Sequence, residues 1–255
     1  MSMSKAIRGL VFAGLCASFT AAGAAELVVN GSFETNGGAG TNTFAGWTVS
    51  DQSGGSGSFY AQTGTAAPPP NAPTTVAAPP VGSFAAMSSQ GSPGSHILYQ
   101  DVAIPAGVTA TFSAQVYVNN SFGGAFATPA SLDYTVSPNQ QARIDIVSTA
   151  APLTDVGAGV LLNVFQTQVG DPLVSGYTTV TANLTPFAGQ TVRLRIAEVD
   201  NQGVFLMGVD GVSVATTAAA AATAVPTLSD AMLAALALIV LAIGLALMRG
   251  RRQAG

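Results

Sequence analysis

The chain has 255 residues and few charges, 8 basic and 12 acidic, for a net charge of −4. From 25 to 224 the bases are Arg143, Arg193 and Arg195 against eleven acids, a balance of −8 without a single lysine. That field excludes nucleic acid and anionic lipid surfaces as partners and leaves neutral glycans and divalent cations. The one cysteine, Cys16, precedes this stretch, so no disulfide frames it.

In chain order, Lys5 and Arg8 open a positive region, residues 9–22 are apolar, and Ala22-Gly23-Ala24 is a small-residue cleavage site. The pattern predicts a signal peptide over 1–24 and export of the chain from residue 25 onward. Leu15 stands before Cys16 where a lipoprotein signal has a small residue, so Cys16 is read as an inert part of the signal.

The mature chain alternates short β-branched or aromatic runs with Gly, Pro, Asn and Ser breaks. Strands are expected near 26–30, 45–50, 57–62, 82–88, 95–104, 108–118, 131–136, 141–148, 158–168, 176–184, 190–199 and 204–215. The clearest alternation sets Ala142, Ile144 and Ile146 against Arg143 and Asp145. Val192, Leu194 and Ile196 repeat it against Arg193 and Arg195. Sheets with one apolar and one polar face predict an all-β fold, an antiparallel β-sandwich of jelly-roll type, over 25–215. Residues 63–80 are too rich in proline for a central strand and are read as a loop; 216–224, mostly alanine, is read as a linker.

Residues 231–248 are 18 apolar residues without a charge, followed by Arg249, Arg251 and Arg252. At 1.5 Å per residue they span about 27 Å, the depth of a bilayer core. A single transmembrane helix with a cytoplasmic basic end is expected.

Residues 225–255 resemble the PEP-CTERM class of sorting signals, in particular the IPTL-CTERM variant. Val225-Pro226-Thr227-Leu228, with Val for Ile, precede the helix and the basic tail; Ala231-Met232 stand where that family usually has Trp-Gly. The resemblance implies processing by a membrane-embedded, exosortase-type enzyme. It also implies a route: export, anchoring in the inner membrane at least transiently, then the cell surface or extracellular matrix.

The region before the linker resembles the galactose-binding-like jelly rolls, which include many carbohydrate-binding modules. The residues that carry this are Asn30-Gly31-Ser32-Phe33-Glu34, Gly46-Trp47, Ala188-Gly189-Gln190-Thr191-Val192 and Val209-Asp210-Gly211-Val212-Ser213-Val214. The resemblance implies a glycan or exopolysaccharide ligand. It further implies a structural Ca²⁺, held by Glu34 and Asp210 with backbone carbonyls, that pins the first strand to the last. From the residues alone, Asp210 shares a strand face with Val212 and Val214, and a buried carboxylate there needs a cation or an arginine. An Arg salt bridge or a solvated turn position is the alternative to calcium.

Arg143, Asp145, Arg193 and Arg195 are expected as a charged patch on one sheet face, either touching glycan or forming cross-strand ion pairs. Tyr60, beside the Pro/Ala loop, is the stacking candidate, while Trp47 inside its strand is expected in the core. His96, the one histidine, is expected to be packed structurally, because no second His and no mature Cys joins it. The mature chain has no Cys nucleophile, no G-x-S-x-G and no H-E-x-x-H, and nothing singles out Glu34, Glu198 and Asp200 as a glycosidase pair. No enzyme activity is expected. Two readings result: a surface module that binds glycan, or a non-catalytic structural or adhesive matrix protein without a small-ligand pocket.

Overall fold

The computed structural model describes residues 24–219 and 230–253; within the second stretch, side chains are described over 232–245 and at 248 and 249. The signal peptide (all but Ala24), residues 220–224 of the linker and the motif Val225-Pro226-Thr227-Leu228 lie outside the described residues. The chain divides into two units, with the boundary after Ala219.

The first unit holds eleven strands: β1 (Ala25–Glu26), β2 (Thr48–Asp51), β3 (Ser58–Gln62), β4 (Ala85–Ser89), β5 (Gly94–Ala103), β6 (Val108–Asn119), β7 (Gln140–Ser148), β8 (Val160–Gln166), β9 (Thr178–Asn183), β10 (Thr191–Asp200) and β11 (Leu206–Ala218). The first sheet has the order β3-β4-β11-β6-β9, with β1 paired to β11; the second has the order β2-β5-β10-β7-β8. All strand pairs are antiparallel. Consecutive strands stay in one sheet only at β3–β4 and β7–β8; every other connection crosses to the opposite sheet, the wrapping of a jelly roll.

Period-2 alternation builds the core between the sheets. Phe59, Phe112, Val116, Met207 and Val209 face inward from the first sheet, and Leu98, Ile144, Ile146, Leu194 and Ile196 from the second, in one cluster. Trp47 belongs to this cluster, 5.3 Å from the Phe33 ring, and its indole N–H donates to Asn30 O at 3.2 Å.

The strand expected over 131–136 does not form. Ser131, Asp133, Tyr134 and Val136 give their carbonyls to the side-chain amides of Asn139, Gln141 and Asn201 instead of to a neighbouring strand. Leu132, buried among Ile97, Ala197 and Val199, anchors this loop on the outer face of the second sheet. The linker also starts later than expected, because Thr216, Thr217 and Ala218 still pair with β6. The Pro/Ala loop pairs with itself (Ala67 N–H to Thr74 O, 2.8 Å; Val76 N–H to Thr65 O, 3.0 Å). It lays Ala67 and Val76 on Met87, Tyr117 and Leu206.

The second unit contains α1 (Asp230–Gln253), 24 residues long. Its described large apolar side chains, Leu233, Leu236, Ile239, Val240 and Ile243 among them, are exposed. Among the described residues, no helix is long and apolar enough to cross a membrane; the described side chains of α1 are continuous only over 232–245.

Candidate functional site

β10 carries Arg193 and Arg195 on the outer face of the second sheet. β7 sets Arg143 and Asp145 beside them, with Arg195 directly opposite Asp145. Arg143, Asp145 and Arg195 do meet, but not as an exposed patch: Arg195 and Asp145 are fully buried and Arg143 nearly so. Asp145 accepts from Arg143 Nε (2.6 Å) and Nη2 (2.9 Å), Arg195 Nη2 (2.7 Å) and Asn163 Nδ2 (2.8 Å). Arg195 Nη1 donates to the carbonyls of Leu153 and Asp155, both at 2.6 Å, so the 149–159 loop closes over the pair. Burial lowers the Arg195 pKa and the Asp145 carboxylate opposes that shift. Only Arg193 keeps an open position, paired with Asp101 at 2.6 Å and 4.5 Å above the Tyr99 ring.

Loops 129–136 and 149–159 leave a cleft of about 430 Å³ on this face, lined by Gln52, Ser131, Leu132, Asp133, Thr154 and Asp155 with Ala130 and Val156. No aromatic ring lines it. Asp133 Oδ1 accepts from Gln52 Nε2 (2.6 Å) and from the Thr135 N–H and hydroxyl (both 2.8 Å), which holds its pKa below the usual carboxylate value. The N–H groups of Gly157 (2.7 Å) and Gly159 (2.8 Å) do the same for Asp155. Both carboxylates are therefore anionic at neutral pH.

Tyr60 does not join this face. It sits on the outer side of the first sheet, half-buried and opposite Met87, at the end of a row that continues through Gly208 to Tyr117. The Pro/Ala loop covers the Met87 and Tyr117 part of that row. The four expected ligand residues, Tyr60, Arg143, Asp145 and Arg195, thus belong to two opposite faces and make no single site.

Glu34 and Asp210 do converge, on the turn before β4. Asp210 Oδ2 accepts from the Val81 N–H (2.9 Å) and Oδ1 from that of Gly211 (2.6 Å); Glu34 Oε1 accepts from Ser83 (2.9 Å) and Phe84 (2.8 Å). Asp210 does not share a face with Val212 and Val214. A bulge between Asp210 and Ser213, with Gly211 at φ +55, resets the alternation, so Val209 and Val212 both point inward and Asp210 outward. Burial, helped by the nearby Glu34 charge, lifts Asp210 to a pKa of about 7 against the pull of its two amide donors. The ends of the domain are joined separately, by Glu26 Oε1 accepting from the Val28 (2.7 Å) and Val214 (2.8 Å) N–H groups.

Sequence reasoning missed a second polar cluster, on the inner face. β10 sets Glu198 opposite His96 of β5, β2 sets Asp51 on the other side of His96, and Asp200 follows two residues along β10. His96, Glu198 and Asp200 are all buried, with candidate donor atoms within 4.8 Å of one another. The available signal was the same-face i, i+2 spacing of Glu198 and Asp200; their meeting with His96 depends on strand register.

No protein family matches the chain, and no curated protein matches it. Solved structures are similar to it at low identity. The K3 adhesin domain of Lys-gingipain from Porphyromonas gingivalis gives a TM-score of 0.45 at 15% identity, over 76% of this chain and 99% of that one. A cyclase from Fischerella sp. TAU in complex with 4-(1H-indol-3-yl)butan-2-one gives 0.45 at 17% identity, over 77% and 100%. TmCBM61 in complex with β-1,4-galactotriose gives 0.41 at 14% identity, over 74% and 97%.

Removing Asp145 leaves two buried guanidinium groups without their carboxylate. Asp145→Ala is expected to lower unfolding stability by about 3–5 kcal/mol in urea titrations, whereas Arg193→Ala at the more open pair costs about 1 kcal/mol or less. Equal small losses would mean that the Asp145 cluster is solvated.

Proposed function

We propose that this chain is an exported, non-catalytic surface module that binds a neutral glycan in the cleft between loops 129–136 and 149–159. The observation that supports this most is the convergence of Asp133, Asp155, Gln52, Ser131 and Thr154 on one open cleft. Ionised carboxylates and amides placed this way take hydrogen bonds from sugar hydroxyls, and Leu132 and Val156 offer apolar surface to C–H faces. Without a stacking ring the contact is polar and weak, suited to holding a polymer at many points rather than one small sugar tightly.

Display belongs to the two ends. Residues 1–24 serve export and 225–255 act as an exosortase-type sorting signal, with the apolar run 231–248 as its membrane anchor; the support is the sequence. A calcium ion beside Glu34 and Asp210 belongs to the same reading. Glu34 Oε2 is the oxygen not used by the Ser83 and Phe84 amides, and a cation there would offset the repulsion between the two carboxylates.

Affinity electrophoresis against neutral polysaccharides, with β-1,4-galactotriose among the competitors, is expected to retard the protein. Asp133→Asn with Asp155→Asn should abolish the retardation, and no retardation of the wild type would leave the structural or adhesive reading. Calcium should raise the thermal midpoint by several degrees over EGTA, an effect absent in Glu34→Ala; an unchanged midpoint removes the ion. Replacing Pro226, Thr227 and Leu228 with alanines should keep the full-length chain in the inner membrane, and normal processing of that variant would remove the sorting assignment.

A further inference from the structure

The inner face of the second sheet carries a group of charges that the glycan reading does not use. Asp51, His96 and Glu198 form one row across β2, β5 and β10, and Asp200 adjoins it. Burying two carboxylates next to each other is costly unless a cation compensates, and among the described residues no Lys or Arg pairs with either.

Three of the donor atoms are unused. Asp51 Oδ1 accepts from His96 Nδ1 at 2.8 Å, which leaves the Nε2 lone pair to point the other way. Nε2 is without a hydrogen-bond partner, as are both Glu198 oxygens, and the two residues are 1% and 0% exposed. The Ser88 hydroxyl lies beside the Glu198 carboxylate and favours its charged form, while its contact to Phe205 O is long, at 3.5 Å. Asp200 Oδ1 takes the Gly94 N–H at 3.0 Å. Gly94 also keeps room beside the imidazole: a Cβ there would come within 2.6 Å of His96 Nε2 and 2.5 Å of Ser56 O. An approach exists too, since Asp200 lines a cleft of about 290 Å³ between residues 91–93 and 201–204.

We infer that His96 Nε2, Glu198 and Asp200 form a buried site for one divalent transition-metal ion of the zinc type. One imidazole nitrogen and two carboxylates suit zinc better than calcium, which takes six to eight oxygens. Two negative charges and a doubly positive ion sum to zero, so the interior keeps no net charge. Ligands of tetrahedral zinc stand about 3.4 Å apart, so the group closes on the ion by side-chain rotations on the order of an ångström. Three protein ligands leave a fourth position for water on the side of the 91–93 and 201–204 cleft. Asp51 is the positioning residue that orients the imidazole.

The test uses the full chain, stripped with a chelator and exposed separately to Zn²⁺, Mn²⁺ and Ca²⁺. After desalting, elemental analysis should find one zinc per chain, with the thermal midpoint raised by about 5–10 °C. Glu198→Gln and His96→Gln should each lose the retained zinc and the shift. Metal-free Glu198→Gln should melt no lower than the metal-free wild type, because it removes a buried charge; that separates lost binding from failed folding. Wild-type protein that retains no zinc, or a full equivalent of zinc retained by Glu198→Gln, would each overturn the site; a Ca²⁺ response that Glu198→Gln leaves unchanged belongs to Glu34 and Asp210 and is read separately.

Discussion

β10 runs between β5 and β7 in fixed antiparallel register along its whole length, and that ladder decides which chemistry lands on which side of the second sheet. Val192, Leu194 and Ile196 enter the core while Arg193 and Arg195 face away from it. A slip of one residue would exchange them, placing two guanidinium groups among Phe, Leu and Ile. The apolar packing of the sandwich and both polar clusters depend on the same register.

The two clusters are handled differently. On the outer face, one carboxylate lies between two arginines and is backed by Asn163, while two carbonyls of the 149–159 loop take Arg195 Nη1; the Arg195 Nε alone of that side chain's nitrogens has no partner. The result is structural: the cluster ties the loop to the sheet and so shapes one wall of the cleft. On the inner face neither Glu198 nor Asp200 pairs with a lysine or arginine among the described residues, and both Glu198 oxygens and His96 Nε2 remain unused.

Legibility followed locality. Alternation at 142–146 and 192–196 located β7 and β10, because a pleated strand buries every second residue whatever lies next to it. The same rule failed at 131–136. There Leu132 is buried under a loop, not within a ladder, and side-chain amides from 139, 141 and 201 take the carbonyls. It failed again at Asp210, where one glycine at positive φ adds a residue and turns the face over. Three of the four patch residues, Arg143, Asp145 and Arg195, meet as expected but buried, while Arg193 pairs with Asp101 instead, since alternation records which side of a sheet a residue takes and not what covers that side.

Strand content, the antiparallel two-sheet architecture, the lack of a disulfide and the C-terminal helix came from the order of residues alone, because each rests on contacts between near neighbours or on composition. Which residues became a site did not. Glu198 and His96 are about a hundred positions apart, Glu34 meets Asp210 across nearly the whole domain, and the cleft is bounded by two loops from different connections. Strand order and loop closure set those meetings, and both are global consequences of burying one core between two sheets.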